Sequence, residues 1–247
     1  MENRDGEMRP LPEAVVITGA AQRLGLYHAE RLLEQGYAVI GSYRREKPGV
    51  AQLRALGARM LPADFSTREG ILAFIAALKD NAQSLRAIIH NASLWTPDAD
   101  ILEEPVAFDV LMNVHVQAPY LINLHAEPLL RTGEGPRDII HITDYAVERG
   151  SDRHAAYVAS KAALASLTLS FAKRYAPRIR VNTIAPGLIQ FNAGDDEEYR
   201  KRRLALSALG FEPGPDVVWQ AIRFLMDNPF VTGASLPVDG GRRVRGG

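Results

Sequence analysis

The chain contains no cysteine. That excludes disulfides, thiol nucleophiles and thiolate-bound metals. Its six histidines show no paired ligand spacing, so no metal site is expected. It carries no excess of either charge: 29 Lys plus Arg face 29 Asp plus Glu. There is no basic stripe to hold nucleic acid or an anionic membrane surface. Nor does any apolar run approach the ~20 residues of a membrane span. Met1 to Pro12 is polar, has mixed charge and lacks an apolar signal core. It reads as a flexible N-terminus, and a cytoplasmic location is expected. Asn91-Ala92-Ser93 fits the glycosylation pattern, but without a secretion signal it reads as a chance match. Arg242, Arg243 and Arg245 read as a solvated C-terminus.

What the chain does have is apolar material in a regular order. Hydrophobic residues make up 47% of its 247 positions. Ala14 to Thr18 is a continuous apolar run, as expected of a strand buried on both faces. Further strands are expected at 37–42, 58–61, 86–90, 138–143, 179–184 and 234–238. Helices are expected at 23–35, 51–56, 67–79, 107–130, 155–175 and 216–226, with Pro119 and Pro128 bending the long one. This alternation predicts an α/β fold of the Rossmann type: one doubly wound parallel sheet flanked by helices, a single domain over 1–247. Residues 187–214 interrupt the pattern. They read either as a helical lid over the substrate or as a solvated connection.

Thr18-Gly19-Ala20-Ala21-Gln22-Arg23-Leu24-Gly25 stands between the first strand and the first helix. Gly19 permits a tight turn and Gly25 a close helix–sheet contact, while the helix N-terminus offers N–H groups to a pyrophosphate. Arg23 holds the place where a third glycine is usual. It can reach a phosphate, the substrate or both. Tyr43, Arg44 and Arg45 follow the second strand, where an NAD enzyme normally carries an acidic residue. Arginine there suits the 2′-phosphate of NADP. Asp64 is placed to bond an adenine amino group or to cap the next helix.

Tyr157-Val158-Ala159-Ser160-Lys161 puts a phenol and an ammonium on one helical face. A tyrosine with a pKa of ~10 is a weak acid–base catalyst at neutral pH. The neighbouring lysine is expected to lower that pKa. With these motifs the chain resembles the short-chain dehydrogenase/reductase family over nearly its whole length. His90-Asn91-Ala92-Ser93, Asn182, Pro186-Gly187 and the run from Val231 to Gly241 carry the rest of the likeness. The resemblance implies Tyr157 and Lys161 as the catalytic pair and NADPH as cofactor. It implies Gly19, Arg23, Leu24, Gly25, Tyr43, Arg44, Arg45, Asp64, Asn91, Ala92, Tyr157, Lys161, Pro186, Gly187 and Ile189 as its contacts.

Two positions depart from the family pattern. Asp144 stands thirteen residues before Tyr157, where a catalytic serine is usual. His115 stands where many members have a proton-relay asparagine. It reads either as functional or as a packed core histidine, with Asn113 nearby as another candidate. An ionised carboxylate cannot donate to a ketone oxygen, but a protonated one could supply a ring nitrogen. The combination resembles the pteridine reductases, which carry Asp, Tyr and Lys at these places, the Arg-Leu-Gly loop, and a ring stacking on the pterin where Trp95 stands. The runs 63–67, 143–145, 147–152 and 196–200 resemble the bacterial branch that reduces dihydromonapterin. What this implies is reduction of 7,8-dihydromonapterin to the tetrahydro form, with dihydrofolate as a further substrate. Arg23, Ser93, Trp95, Asp144 and Tyr157 would touch the substrate. The proton for N5 would come from Tyr157, Asp144 or water. A homotetramer is also implied. The competing expectations are a carbonyl reductase of the same superfamily and a non-catalytic nucleotide sensor. His141 and His154 receive no role from the sequence.

Overall fold

The structure is a computed structural model that describes residues 9–245. The expected flexibility of residues 1–8 lies outside the described residues. The described end of that stretch is anchored: Leu11 donates to the Asn81 carbonyl and accepts from Gln83, forming a parallel bridge to Ala82.

Among the described residues, seven parallel strands run β1 (Ala14–Ile17), β2 (Val39–Tyr43), β3 (Arg59–Pro62), β4 (Leu85–His90), β5 (Arg137–Ile142), β6 (Ile179–Pro186) and β7 (Ser235–Val238). Their order in the sheet is β3-β2-β1-β4-β5-β6-β7. The helices are α1 (Arg23–Glu34), α2 (Pro48–Ala55), α3 (Arg68–Asn81), α4 (Asp98–Glu103), α5 (Val106–Met112), α6 (Ala118–Arg131), α7 (Ala155–Tyr175), α8 (Glu197–Leu204) and α9 (Asp216–Asp227). Alternate residues of each strand serve opposite faces. Ala14 and Val16 pack with α3, α6 and α7, whereas Val15 and Ile17 pack with α1, α2 and α9. Two-sided burial is why the strands read as unbroken apolar runs. The strand order reverses between β1 and β4, which opens a crevice at their carboxyl ends.

The expected long helix over 107–130 is broken. α4 and α5 precede a wide π turn, Asn113–Gln117, in which the Ala118 N–H reaches the Asn113 carbonyl. Pro119 supplies the reason. It lacks an N–H, and its ring collides with the carbonyl four residues back in a regular helix. The turn aims His115 into the interior. The sequence reading also passed over one apolar stretch. α7 is long and apolar enough by composition to cross a membrane, with a mean hydropathy of 1.3. Here it packs along β6 and buries Tyr157, Ser160, Lys161 and Thr168.

Residues 187–214 contain α8, whose N-terminus is capped by Asp196 accepting from Tyr199 at 2.7 Å. The far end of this segment meets the C-terminal arginines, which are not a solvated tail. Arg242 is only 5% exposed, and its guanidinium lies 4.9 Å from the Tyr145 ring centroid. Arg245 donates to Ser207 at 2.6 Å, and Arg149 holds the carbonyls of Arg242 and Arg245.

At the opposite end of the sheet, Asp138 of β5 is buried between two arginines. Arg86 of β4 donates to it at 2.5 Å, and Arg180 of β6 grips it through two bonds of 2.9 and 2.8 Å. Both arginines also donate to the Met226 carbonyl at the end of α9. The cluster therefore fixes three strands and one helix. Removing one partner of a buried ionic cluster leaves uncompensated charge, which costs about 3–5 kcal/mol. Asp138→Ala is expected to lower the unfolding free energy by that amount in urea titrations. A loss under about 1 kcal/mol, typical of exposed pairs, would contradict this account.

Candidate active site

A cleft of about 390 Å³ opens at the carboxyl ends of β1 to β4. Its walls include Gly19, Arg23, Leu24, Gly25, Tyr43, Arg44, Arg45, Asp64, Asn91, Ala92 and Ser93. Three strand ends are laced together beneath it. The Thr18 hydroxyl accepts from the backbone N–H groups of Asn91 and Ala92, both at 3.0 Å. Asn91 Nδ2 donates to the Thr18 and Gly19 carbonyls. The Ser42 hydroxyl accepts from Gly19 N–H at 3.0 Å. Thr18 and Ser42 were not expected as site residues; a buried hydroxyl at a strand end was the available signal.

The glycines are required by close backbone approach. Gly19 has φ +69°, and a Cβ there would lie 2.9 Å from Ala92 Cα. A Cβ on Gly25 would lie 2.1 Å from the Gly19 carbonyl oxygen. No acidic residue occupies the first turn of α1 and no side chain caps it, so its positive end faces the cleft uncompensated. A cradle of this shape, with Arg44 and Arg45 exposed at its far wall, fits a phosphorylated dinucleotide. Asp64 does not cap α3. Thr67 does, accepting from Gly70 N–H, while Asp64 binds the Ser66 N–H and hydroxyl. Those bonds hold the Asp64 carboxyl below the usual range, and Arg44 and Arg45 act in the same direction.

Arg23 takes a left-handed backbone, φ +52°, which is rare outside glycine. Its guanidinium bonds the side chain of Asn192 and the Gln190 carbonyl. Arg23 thus ties the glycine loop to the segment 187–214, although it was expected to face phosphate or substrate. Pro186, Gly187 and Ile189 are not part of the cleft wall. Gly187 donates to the Val238 carbonyl and comes so close to Asp239 that a Cβ would stand 2.9 Å from its Cα. Ile189 is buried, and Asn182 pins the 231–234 loop through both ends of its amide.

The second cluster gathers at the other side of Ser93. The Tyr157 hydroxyl donates to Asp144 at 3.0 Å. The other Asp144 oxygen accepts from Ala146 N–H at 2.8 Å and starts the 3₁₀ turn Tyr145–Glu148. Lys161 is buried and donates to the Ile142 carbonyl at 2.9 Å. Burial lowers its pKa to about 8. Burial raises the Asp144 carboxyl. Burial also pushes the Tyr157 phenol well above its ordinary value, and the Asp144 carboxylate adds to that shift. This reverses the expected effect of Lys161. Its ammonium lies 5.8 Å from the tyrosine ring centroid and is aimed at a carbonyl, while the carboxylate holds the hydroxyl. Tyr157 is accordingly a neutral phenol.

Trp95 is neither core nor an open platform. It is 58% exposed and lies against His154 at 4.1 Å and Tyr157 at 4.5 Å between centroids. His154 is therefore a site neighbour that sequence reasoning missed. His141 bonds Thr168 and Asn123 within the core, and Asn123 also bonds His90. Asn113 donates to the Ser66 carbonyl.

Residues 19–243 match the family model described as enoyl-(acyl carrier protein) reductase. The chain belongs to the short-chain dehydrogenase/reductase family. Among its relatives in this family, the dihydromonapterin reductase of Klebsiella pneumoniae is 49% identical over 95% of this chain and 98% of its own. That of Shigella boydii is 48% identical over 97% of this chain and all of its own. Two solved structures share the fold. One is the alternative dihydrofolate reductase FolM of Brucella canis, complexed with NADP, with TM-score 0.86, 24% identity and 95% coverage of both chains. The other is the Pseudomonas aeruginosa RhlG/NADP complex, with TM-score 0.83, 26% identity and coverage of 94% and 96%. Against the family's usual serine, this member has Asp144 bonded directly to the tyrosine.

Gly25→Ala is expected to destabilise the fold by about 1–3 kcal/mol through overpacking. It should also shrink the rise in Tm produced by added NADP⁺. An undiminished ligand-dependent rise would show that the loop accommodates a Cβ.

Proposed function

We propose that the protein is an NADPH-dependent reductase of dihydropterins, converting 7,8-dihydromonapterin to the tetrahydro form and accepting dihydrofolate as well. Relatives named dihydromonapterin reductase, 46–49% identical over nearly the whole chain, support the substrate class. The observation that carries the reading is the Asp144–Tyr157 hydrogen bond in a low-dielectric pocket.

NADPH, when bound, would supply a hydride to the carbon of the imine. Gly19, Gly25 and the N-terminus of α1 would hold its pyrophosphate, and Arg44 with Arg45 would receive the 2′-phosphate. Lys161 would hold the ribose side of the site, and Trp95 would border the pterin. The proton follows from the pair. While Asp144 is ionised it accepts from Tyr157 and can donate nothing. Once it is protonated, the hydrogen bond reverses. The carboxyl donates to Tyr157 Oη, and the phenol proton turns toward the imine nitrogen. Transfer of that proton, with the carboxyl proton replacing it, leaves Tyr157 neutral and Asp144 ionised. A ketone oxygen needs a standing hydroxyl donor, which the usual serine provides and an ionised carboxylate does not.

A cytoplasmic location accompanies this reading, because that is where an NADPH-fed reductase draws its cofactor. A homo-oligomer, a tetramer on the family pattern, is supported by exposed apolar side chains on α4 to α7, among them Leu102, Val106, Phe108, Tyr120 and Leu169.

The test is cofactor oxidation followed by absorbance, with 7,8-dihydromonapterin, 7,8-dihydrofolate and a simple ketone side by side, each with NADPH and NADH. Turnover confined to the pterins and to NADPH is expected. Turnover of the ketone alone would leave the fold and the Tyr157–Lys161 pair in place and overturn the substrate.

A further inference from the structure

Trp95 stands on a stretch without regular structure, residues 91–97, and its indole is more than half exposed. A side chain so placed ordinarily changes rotamer freely. Here the chain is held on both sides of it. One residue before, the Leu94 N–H donates to His115 Nε2 at 3.1 Å, and the Leu94 side chain packs against Leu111, Ala146, Tyr157 and Val158. Three residues after, Asp98 is tied to the start of the catalytic helix. Its N–H donates to the Arg153 carbonyl at 2.9 Å. Its carboxylate accepts from the Ala155 N–H at 2.8 Å and from the Ala156 N–H at 3.2 Å, one bond to each oxygen.

Those bonds answer a deficit in α7 itself. A helix begins with N–H groups that have no partner inside it. His154 holds the N-cap position of α7, but its side chain makes no capping bond, and no acid stands in the first turn. Asp98, distant in sequence, supplies the cap and sets a carboxylate at the positive end of the helix. The imidazole of His154 is left for another use. It lies against the Trp95 indole, with ring centroids 4.1 Å apart and planes 32° from parallel. Tyr157, further along α7, meets the same indole at 4.5 Å and 67°. Among the described residues these two are the ring partners of Trp95.

We propose that Asp98 and His154 are positioning residues: Asp98 clasps the Trp95 loop to the head of α7 and His154 backs the indole, so that Trp95 and the Tyr157 phenol stand at a fixed spacing before substrate arrives. The ligand this serves is a flat heteroaromatic ring that borders the indole while its imine nitrogen meets the phenol. A preformed slot spares the ordering that a mobile indole would cost on binding. That catalytic meaning rests on the reductase reading; the seating of the indole does not.

Time-resolved fluorescence anisotropy of the full chain tests the seating. The second tryptophan, Trp219, is buried in α9, and subtracting the signal of Trp95→Phe isolates Trp95. In the wild type, Trp95 is expected to turn only with the whole protein. Asp98→Ala and His154→Ala should each add a fast component, on the order of a nanosecond or less. His154→Phe, which keeps a flat ring against the indole, should restore the wild-type decay. If Asp98 served only as a helix cap, Asp98→Ala would lower the Tm and leave the Trp95 decay as it was. An unchanged decay in either alanine variant overturns the proposal for that residue. With a dihydropterin and NADPH, His154→Ala should raise the KM of the pterin by about two- to tenfold, the worth of one aromatic pair, and leave the KM of NADPH unchanged. An equal rise in both would contradict the positioning role. The anisotropy uses no substrate, so failure of the pterin assay would sink the reaction assignment and leave the clasp standing.

Discussion

A carboxylate that is taken partly out of water must be compensated, and Asp144 is compensated twice. One oxygen starts the turn that carries Tyr145, and the other receives the Tyr157 hydroxyl. Those two bonds fix where the turn after β5 starts and which way the phenol points. They also decide the chemistry. A carboxyl with a raised pKa beside a phenol with a raised pKa is a store of protons, and it suits an imine nitrogen better than a ketone oxygen. A serine at the same place would change both the charge and the proton supply.

The proton store and the nucleotide cleft are built by different means. Gly19, Gly25, Thr18 and Asn91 shape the floor of the cleft through backbone contact and through hydrogen bonds that lace the strand ends. The proton store is made of long side chains buried against one another. Ser93 belongs to both, lining the cleft and reaching His115. The segment 187–214 is tied down near both of its ends. Arg23 ties it to the glycine loop, and the C-terminal arginines tie it to the turn after Asp144. A shift of that segment would thus be felt by the phosphate side and the acid side together.

Most of the fold was legible because its rules are local. Ala14 to Thr18 announces a buried strand by composition, Gly19 and Gly25 announce a tight turn, and the spacing of Tyr157 and Lys161 announces one helical face. The direction of the Tyr157 shift was not legible. It depends on whether Lys161 or Asp144 reaches the hydroxyl, and a carbonyl on β5 claims the lysine. The π turn was hidden because Pro119 reads as a bend, while the way a helix yields at proline depends on its neighbours. Arg242 looked like a tail residue because its partner, the Tyr145 ring, is set by the distant catalytic turn. Asp138 gave no sign of its two arginines, which lie on other strands.

The central claim is that Asp144 holds a proton more tightly than an ordinary carboxyl. ¹³C NMR of the aspartate carboxyls across pH, with Asp144→Asn to assign the signal, measures this directly. The account predicts a midpoint above the normal aspartate range of about 3.9, in step with loss of turnover as the pH rises through it. A midpoint at or below that range would contradict it, since Asp144 would then be a permanent acceptor and the proton would have to come from elsewhere.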